Sequence, residues 1–392
     1  MEGKMERIFT VRVADNITSP AGVTSEENYS NVKRGNSSIK QYDGMWGIPE
    51  PFAASLFDPN LIETEFAKIN NKGSYTFFEK TALLSATEAL KQSTINPASE
   101  RTIFILSTTK GNVSLLNNNG HNFSPERVLP GVTACIIADF FNNPNRPIVV
   151  SNACISGVCA QIEAMRLIQN GYYDNIVVIG ADVQSKFIVS GFQSFKALST
   201  ERCKPFDTER NGLNLGEAAA TIIFSCKNYD TISKEDWVLC KGAIRNDANH
   251  ISGPSRSGEG SYRVLRQIME NEEREKIAFI NAHGTSTAYN DEMEAIAIER
   301  AGLSGLPVNG LKGIYGHTMG AAGVLESIIS MKAIDSGTIP ATIGYENCGV
   351  SVPLLVANTN RPTEKKSFIK MLSGFGGCNA ALLYKKGGEL WS

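Results

Sequence analysis

Cys154 sits in the stretch SNACISGVCAQIEAMRLIQNG, residues 151 to 171. A short apolar run ends at Ser151. Beyond it Ile155, Val158, Ile162, Met165 and Ile168 recur at spacings of three and four, the period of a helix with one apolar face. Cys154 therefore falls where a strand turns into a helix. Unpaired N–H groups and the positive end of the helix dipole favour a thiolate at such a point. A corner of this kind also presents a nucleophile at a sheet edge, and the adjacent peptide N–H is a candidate oxyanion donor. The competing reading is a small, inert, buried thiol, which is what most free cysteines are. Cys159, five residues on, takes that second reading.

The chain has 4 histidines. His283 lies in NAHGTSTAYNDEMEA, after an apolar run and before a Gly-Thr-Ser-Thr loop; Asp291 reads as the cap of the next helix, with Glu294 at capping-box spacing. His317 lies in LKGIYGHTMGAAGVLESI, before a helix whose first turns are small residues that permit close backbone approach. His121 falls in a polar loop and reads as solvated. Lys312 reads equally as a surface lysine, and Glu294 equally as a cap alone. SGFGGCN, residues 373 to 379, lacks the GK[ST] of a phosphate loop and no helix follows it. Its glycines instead allow backbone N–H groups to approach a reacting centre, with Phe375 as a bulky side chain on a hinge.

The elements that position these residues are readable from periodicity. Strand-like runs cover 102–106, 147–151, 175–181, 219–225, 277–282, 368–372 and 380–385; helical periods cover 76–93, 154–170, 261–272, 291–300 and 318–333. Their alternation predicts an α/β protein with mostly buried strands. Residues 25–75 and 111–130 are polar and resist assignment. A weak internal repeat matches IVVSNAC154 to AFINAH283 and LNLGEAAATIIF to GFGGCNAALLY. If it is real, two strand–helix turns meet and bring Cys154 to His283.

At 392 residues the chain is long enough for two or three domains or one large layered one. Lys and Arg total 38 against 40 Asp and Glu, so no basic excess argues for nucleic acid or an anionic membrane. The 8 cysteines include no CxxC pair, which is neither a zinc pattern nor a disulfide framework, and reduced thiols point to the cytoplasm. The opening MEGKMERIFTVRVAD has no apolar core of a signal peptide. No apolar run approaches the length of a membrane span.

Together, NAC154ISG, NAH283GTST with D291xxE294, K312xxxGH317xxGAAG and GF375GG, in this order and spacing, resemble the elongating β-ketoacyl-acyl-carrier-protein synthases. KALSTERCKPFDTERNGLNLGEAAA (196–220) is similar to the same family. The resemblance covers residues 130 to 386 well and the N-terminal third loosely. It implies a layered αβαβα thiolase-like fold of two pseudo-equivalent halves, residues 1–228 and 229–392. It implies decarboxylative condensation of an acyl thioester, held on Cys154, with a malonyl thioester held on acyl carrier protein. Cys154 and Phe375 would supply oxyanion N–H groups, His283 and His317 would bind the malonyl thioester carbonyl, and Lys312 and Glu294 would orient them. Phe375 would gate the two half-reactions, and Thr285 and Thr287 would contact the pantetheine arm. No metal or organic cofactor is implied, because the phosphopantetheine arm belongs to the carrier. A homodimer is implied, with a heterodimer of two synthases as the variant. Lys196, Arg202 and Lys204 are candidates for a basic rim facing the acidic carrier, or ordinary surface charges.

Two alternatives follow from the superfamily: a thiolase-like enzyme using coenzyme A thioesters, and a non-catalytic partner subunit. Lys110, in STTKGNVSLL, falls near a position that lines the acyl pocket in relatives. A lysine there is costly to bury beside an alkyl chain unless paired or turned away. It points away from an ordinary long-chain fatty acyl group, toward a specialised polyene or polyketide-like chain or a different pocket wall.

Overall fold

The computed structural model describes residues 8–70, 73–116, 122–247 and 249–390. His121 lies outside the described residues. The first half contributes strands Ile8–Thr18, Thr102–Ser107, Ile148–Val150, Asn175–Asp182 and Ala218–Asn228. The second contributes Trp237–Asn246, Phe279–Asn281, Pro307–Asn309, Ser367–Gly374 and Cys378–Lys386. Counted along the chain within each half, both sets lie in the spatial order third, second, fourth, fifth, first. The pairings repeat as well. The third, second and fourth strands run parallel; the fourth, fifth and first pair antiparallel. The two first strands pair with each other, Thr10 with Leu239 and Val11 with Val238. This joins the halves into one 11-stranded sheet, with Leu355–Val356 added at the far edge of the second half.

The strands are covered on both faces, which is why Ala218 to Phe224 is buried without alternation. Helix Phe77–Lys91 covers the outer face of the first half; helices Glu259–Ile268 and Ala288–Arg300 lie on the outside of the second. Helices Ser156–Gln169 and Ala322–Asp335 fill the space between the two halves, packed against strands of both. Their shared core includes Ile155, Val158, Ile162, Leu325, Phe224 and Phe368. The result is the layered arrangement of helix, sheet, helix, sheet, helix.

The two central helices approach closely because glycines face each other. A Cβ on Gly323 would stand 2.5 Å from the Val158 nitrogen, and one on Gly157 3.0 Å from the Gly323 Cα. Gln161 bridges them, donating to the carbonyls of Gly157 at 2.8 Å and Gly323 at 3.0 Å. These helices follow the third strand of each half. The topology therefore corrects the weak repeat. His283 follows a second strand, equivalent to the one before Lys110, and the partner of the Cys154 turn is the segment carrying Lys312 and His317. The match of the two glycine-rich approaches to a fifth strand is in register.

Within the stretch 25–75, unassigned by periodicity, the described residues form helices Ser25–Arg34 and Pro59–Ile69 around strand Phe52–Ser55. These helices bury only a narrow stripe, such as Tyr29 and Val32 or Ile62 and Phe66, so polar residues dominate their sequences. Thr24 and Glu27 form a full capping box at the first of them. In the other polar stretch, Arg127 pairs with the buried Glu79 at 2.6 Å and ties the excursion to helix Phe77–Lys91.

Candidate active site

Cys154 ends the turn after Ile148–Val150, just before helix Ser156–Gln169. Ala153 takes a left-handed φ of 44° to make this corner. Ser156 fixes it, accepting from the Asn152 N–H at 2.7 Å and donating to the Ala153 carbonyl at 2.6 Å. Gly374 lets the end of its strand approach: a Cβ there would lie 3.1 Å from the Cys154 nitrogen and 2.8 Å from the Cys378 sulfur. The Phe375 N–H is directed at the Cys154 thiol.

The expected resting thiolate is not what the pocket favours. Cys154 is buried, and burial pushes its thiol up to about 12, with Cys378 adding to the shift. Lys312 and the Phe375 N–H oppose this without overcoming it. Desolvation outweighs the advantage of a helix start.

His283 and His317 converge on this thiol. Their rings meet edge to face with centroids 4.9 Å apart. The Cys154 sulfur and a ring nitrogen from each histidine lie within 4.8 Å of one another. His317 Nδ1 accepts the Met319 N–H at 3.3 Å, so the neutral ring carries its proton on Nε2. That Nε2 is buried without a protein partner among the described residues, as is Nδ1 of His283. Burial, reinforced by Lys312, holds both rings well below the ordinary 6.5. The thiol and imidazoles have the donor types of a zinc site, but the positive field that keeps the rings neutral opposes a dication.

The loop carrying His283 is held by two carboxylates. Glu294 accepts the N–H groups of His283 at 2.7 Å and Gly284 at 2.8 Å. Asp291 accepts from Thr285 at 3.0 Å and Phe206 at 2.7 Å. Asp291 is therefore not a helix cap. Helix Ala288–Arg300 starts after Thr287, and Asp291 reaches back from within it. Burial raises Asp291 to about 6, and burial with Asp291 nearby raises Glu294 to about 7.

Lys312 is fully buried and pairs with Glu326 on helix Ala322–Asp335. The other Glu326 oxygen holds Lys370 at 2.6 Å. Glu326 and Lys370 are not among the residues singled out from the sequence. A lysine inside an otherwise apolar strand was the available signal.

A cavity of about 760 Å³ opens onto these groups, lined by Cys154, His283, His317, Thr285, Thr287 and Phe375. The Thr285 and Thr287 hydroxyls lie 2.9 Å apart. Phe375 stacks on Phe192 and meets Phe195 edge-on, with ring centroids 5.8 and 5.6 Å away. Lys196, Arg210 and Arg256 also line the cavity. Arg202 and Lys204 sit instead at a separate small depression, where Lys204 pairs with Glu209. Lys110 is not among the cavity residues. Its buried ammonium lies 3.2 Å from Asp182 and 3.0 Å from the Thr109 hydroxyl, so its charge is compensated.

Fold and site together define a thiolase-fold condensing enzyme. The chain belongs to the β-ketoacyl synthase family: the N-terminal domain of that family matches residues 11–227 and the C-terminal domain residues 238–346. It is an acyltransferase-type enzyme. It is 28% identical to 3-oxoacyl-[acyl-carrier-protein] synthase 2 of Coxiella burnetii, over 97% of this chain and 99% of that one. It is 32% identical to the synthase 2 of Rhizobium meliloti, over 62% of this chain and 61% of that one. A ketosynthase from Xenorhabdus doucetiae, solved in complex with its chain length factor, superposes with a TM-score of 0.85 at 22% identity, covering 98% of this chain and all of that one. Among the described residues, no helix is long and apolar enough to cross a membrane.

Proposed function

We propose that this chain is a β-ketoacyl-acyl-carrier-protein synthase that elongates a carrier-bound acyl group by two carbons. The observation that carries the reading is the convergence of the Cys154 thiol, two neutral imidazoles and the Phe375 N–H at the foot of one cavity. In the first step the Cys154 sulfur attacks the acyl thioester, the acyl–sulfur bond to the carrier breaks, and the thiol proton leaves with the carrier sulfur. The N–H groups of Cys154 and Phe375 hold the oxyanion. In the second step malonyl-carrier loses carbon dioxide and its enolate attacks the acyl carbon. The bond to Cys154 breaks, and the departing thiolate takes up one proton. His317, donating through Nε2, and His283 stabilise the enolate oxygen. Lys312 and Glu294 orient them. The carrier supplies the pantetheine arm, which Thr285 and Thr287 contact, and no metal or organic cofactor enters these steps.

Phe375, stacked on Phe192 and edge-on to Phe195, is the gate between the two steps. Lys196, Arg210 and Arg256 form the rim that meets the acidic carrier. Lys110, paired with Asp182 and outside the cavity lining, sets no limit on the acyl chain. We divide the chain into halves 1–228 and 229–392, supported by the repeated strand order. A cytoplasmic homodimer is the assembly we assign. Supporting it, Ile148–Val150 is a half-buried edge strand of the sheet, directly before the Cys154 turn.

The family match and the presence of Cys154 weigh against a coenzyme A thiolase and against a non-catalytic subunit. The test is to supply acyl- and malonyl-carrier proteins together. A β-ketoacyl product with release of carbon dioxide is expected, and Cys154→Ala abolishes it. Equal turnover of acyl-coenzyme A, or no product with any carrier-bound acyl group, overturns the reading.

A further inference from the structure

Lys370 is a fully buried lysine in the middle of strand Ser367–Gly374, and the reaction steps above leave it without a task. Its ammonium lies 2.6 Å from Glu326 Oε2 and donates to the carbonyls of Ala282 at 3.2 Å and Asn281 at 3.4 Å. Those two residues lead directly into His283. On the other side of the same turn, Glu294 accepts the N–H groups of His283 and Gly284. The backbone presenting the His283 ring is thus gripped from its carbonyl side by a cation and from its amide side by a carboxyl group.

Glu326 is shared. Lys312 takes one of its oxygens and Lys370 the other. A lone Lys312–Glu326 pair would be neutral, whereas this buried trio carries net positive charge. Both histidines feel it, since Lys370 and Lys312 each push the two rings toward neutrality.

We infer that Lys370 is a positioning residue for the condensation step, holding the Asn281–Ala282 carbonyls and leaving the Lys312–Glu326 pair with a net positive charge beside the two histidines. The inference rests on the function proposed above.

Burial moves the Lys370 ammonium down to about 8, against the pull of Glu326. The groups facing it are Glu326 and Lys312, with Glu294, His283 and His317 within electrostatic reach. Loss of the Lys370 proton removes the net charge and leaves an amine with two N–H donors for three acceptors, so its hold on the carbonyls weakens. Condensation is therefore expected to fall as pH rises through about 8.

The test compares wild type with Lys370→Arg and Lys370→Met. Acyl transfer to Cys154, condensation and histidine NMR titration are read in each. In Lys370→Met, condensation at neutral pH falls about 10- to 100-fold, the scale expected for a displaced catalytic group, and its alkaline limb disappears. Acyl transfer to Cys154 persists. Lys370→Arg keeps neutral-pH condensation, and its alkaline limb moves upward. The His283 and His317 titrations shift upward in Lys370→Met and stay in place in Lys370→Arg; with 4 histidines in the chain, the spectrum is resolvable. Wild-type condensation and histidine titration retained in Lys370→Met overturn the inference. So does a wild-type condensation rate that stays flat through pH 9. Wild type that never condenses counts against the proposed function, while the histidine shifts still decide whether Lys370 governs the rings.

Discussion

Nδ1 of His317 accepts the backbone N–H of Met319 at 3.3 Å, and that bond places the ring proton on Nε2. Met319 adopts a left-handed φ of 54°, so the turn after His317 is bent to deliver the amide. A ring fixed as an Nε2 donor is suited to stabilising a developing oxyanion rather than removing a proton. Replacing His317 with Ala is expected to lower decarboxylative condensation by about 100-fold or more, with acyl transfer to Cys154 retained. Parallel measurement of the two half-reactions checks this. An equal fall in both assigns the ring a different role.

Thiol burial makes a second prediction. With the Cys154 thiol raised to about 12, the thiolate fraction at neutral pH is small and grows with each unit of pH. Alkylation of Cys154 by iodoacetamide, followed by peptide mass spectrometry, is expected to accelerate roughly tenfold per pH unit across the neutral and mildly alkaline range. A plateau near pH 7 shows a thiolate already formed at rest.

Glu294 links the site to stability. Its carboxyl is raised to about 7 in the fold, above its value in the unfolded chain, so the folded state binds the extra proton. The stability this contributes is complete below the unfolded value and is lost as pH rises through about 7. Urea denaturation of wild type is expected to give a larger free energy near pH 5 than near pH 8, and Glu294→Gln to flatten the difference. Glu294→Ala leaves two buried N–H groups unpaired and costs about 2–4 kcal/mol. Equal pH dependence in wild type and Glu294→Gln removes this carboxyl from the account.

The contact between the central helices predicts a steric effect. Gly323→Ala drives a methyl to within 2.5 Å of the Val158 nitrogen and is expected to destabilise the fold by about 1–3 kcal/mol. Gly191→Ala, in helix Lys186–Ser194 with open space around it, is expected to stabilise by about 0.4–1 kcal/mol. Thermal melts of the two variants check both signs.

How far these features were legible depended on what each residue touches. The Cys154 corner, both histidine turns and the glycine-rich Phe375 turn announce themselves locally, through a change of period at a polar or small residue. The strands Thr102–Ser107, Asn175–Asp182 and Ala218–Asn228 announce themselves through apolar runs at 103–106, 176–181 and 222–224. The first strand, Ile8–Thr18, carries Arg12, Asp15 and Asn16 among its apolar residues. It joins the sheet through partners more than 200 residues away. Asp291 reads as a cap because spacing cannot show that it reaches backward to Phe206, which is distant in sequence. The Lys312–Glu326–Lys370 trio is illegible for the same reason: three charges on three elements become neighbours only when the central helix is in place. The thiol's high value is likewise a property of packing, since a helix start is visible in sequence and desolvation is not.

The central claim is that Cys154 carries the acyl group. Intact-protein and peptide mass spectrometry after incubation with a mixed pool of acyl-carrier proteins tests it most directly. A single acyl adduct is expected on the Cys154 peptide, absent in Cys154→Ala, and its mass identifies the acyl chain. No adduct with any carrier, or an adduct that persists in Cys154→Ala on Cys159 or Cys378, contradicts it.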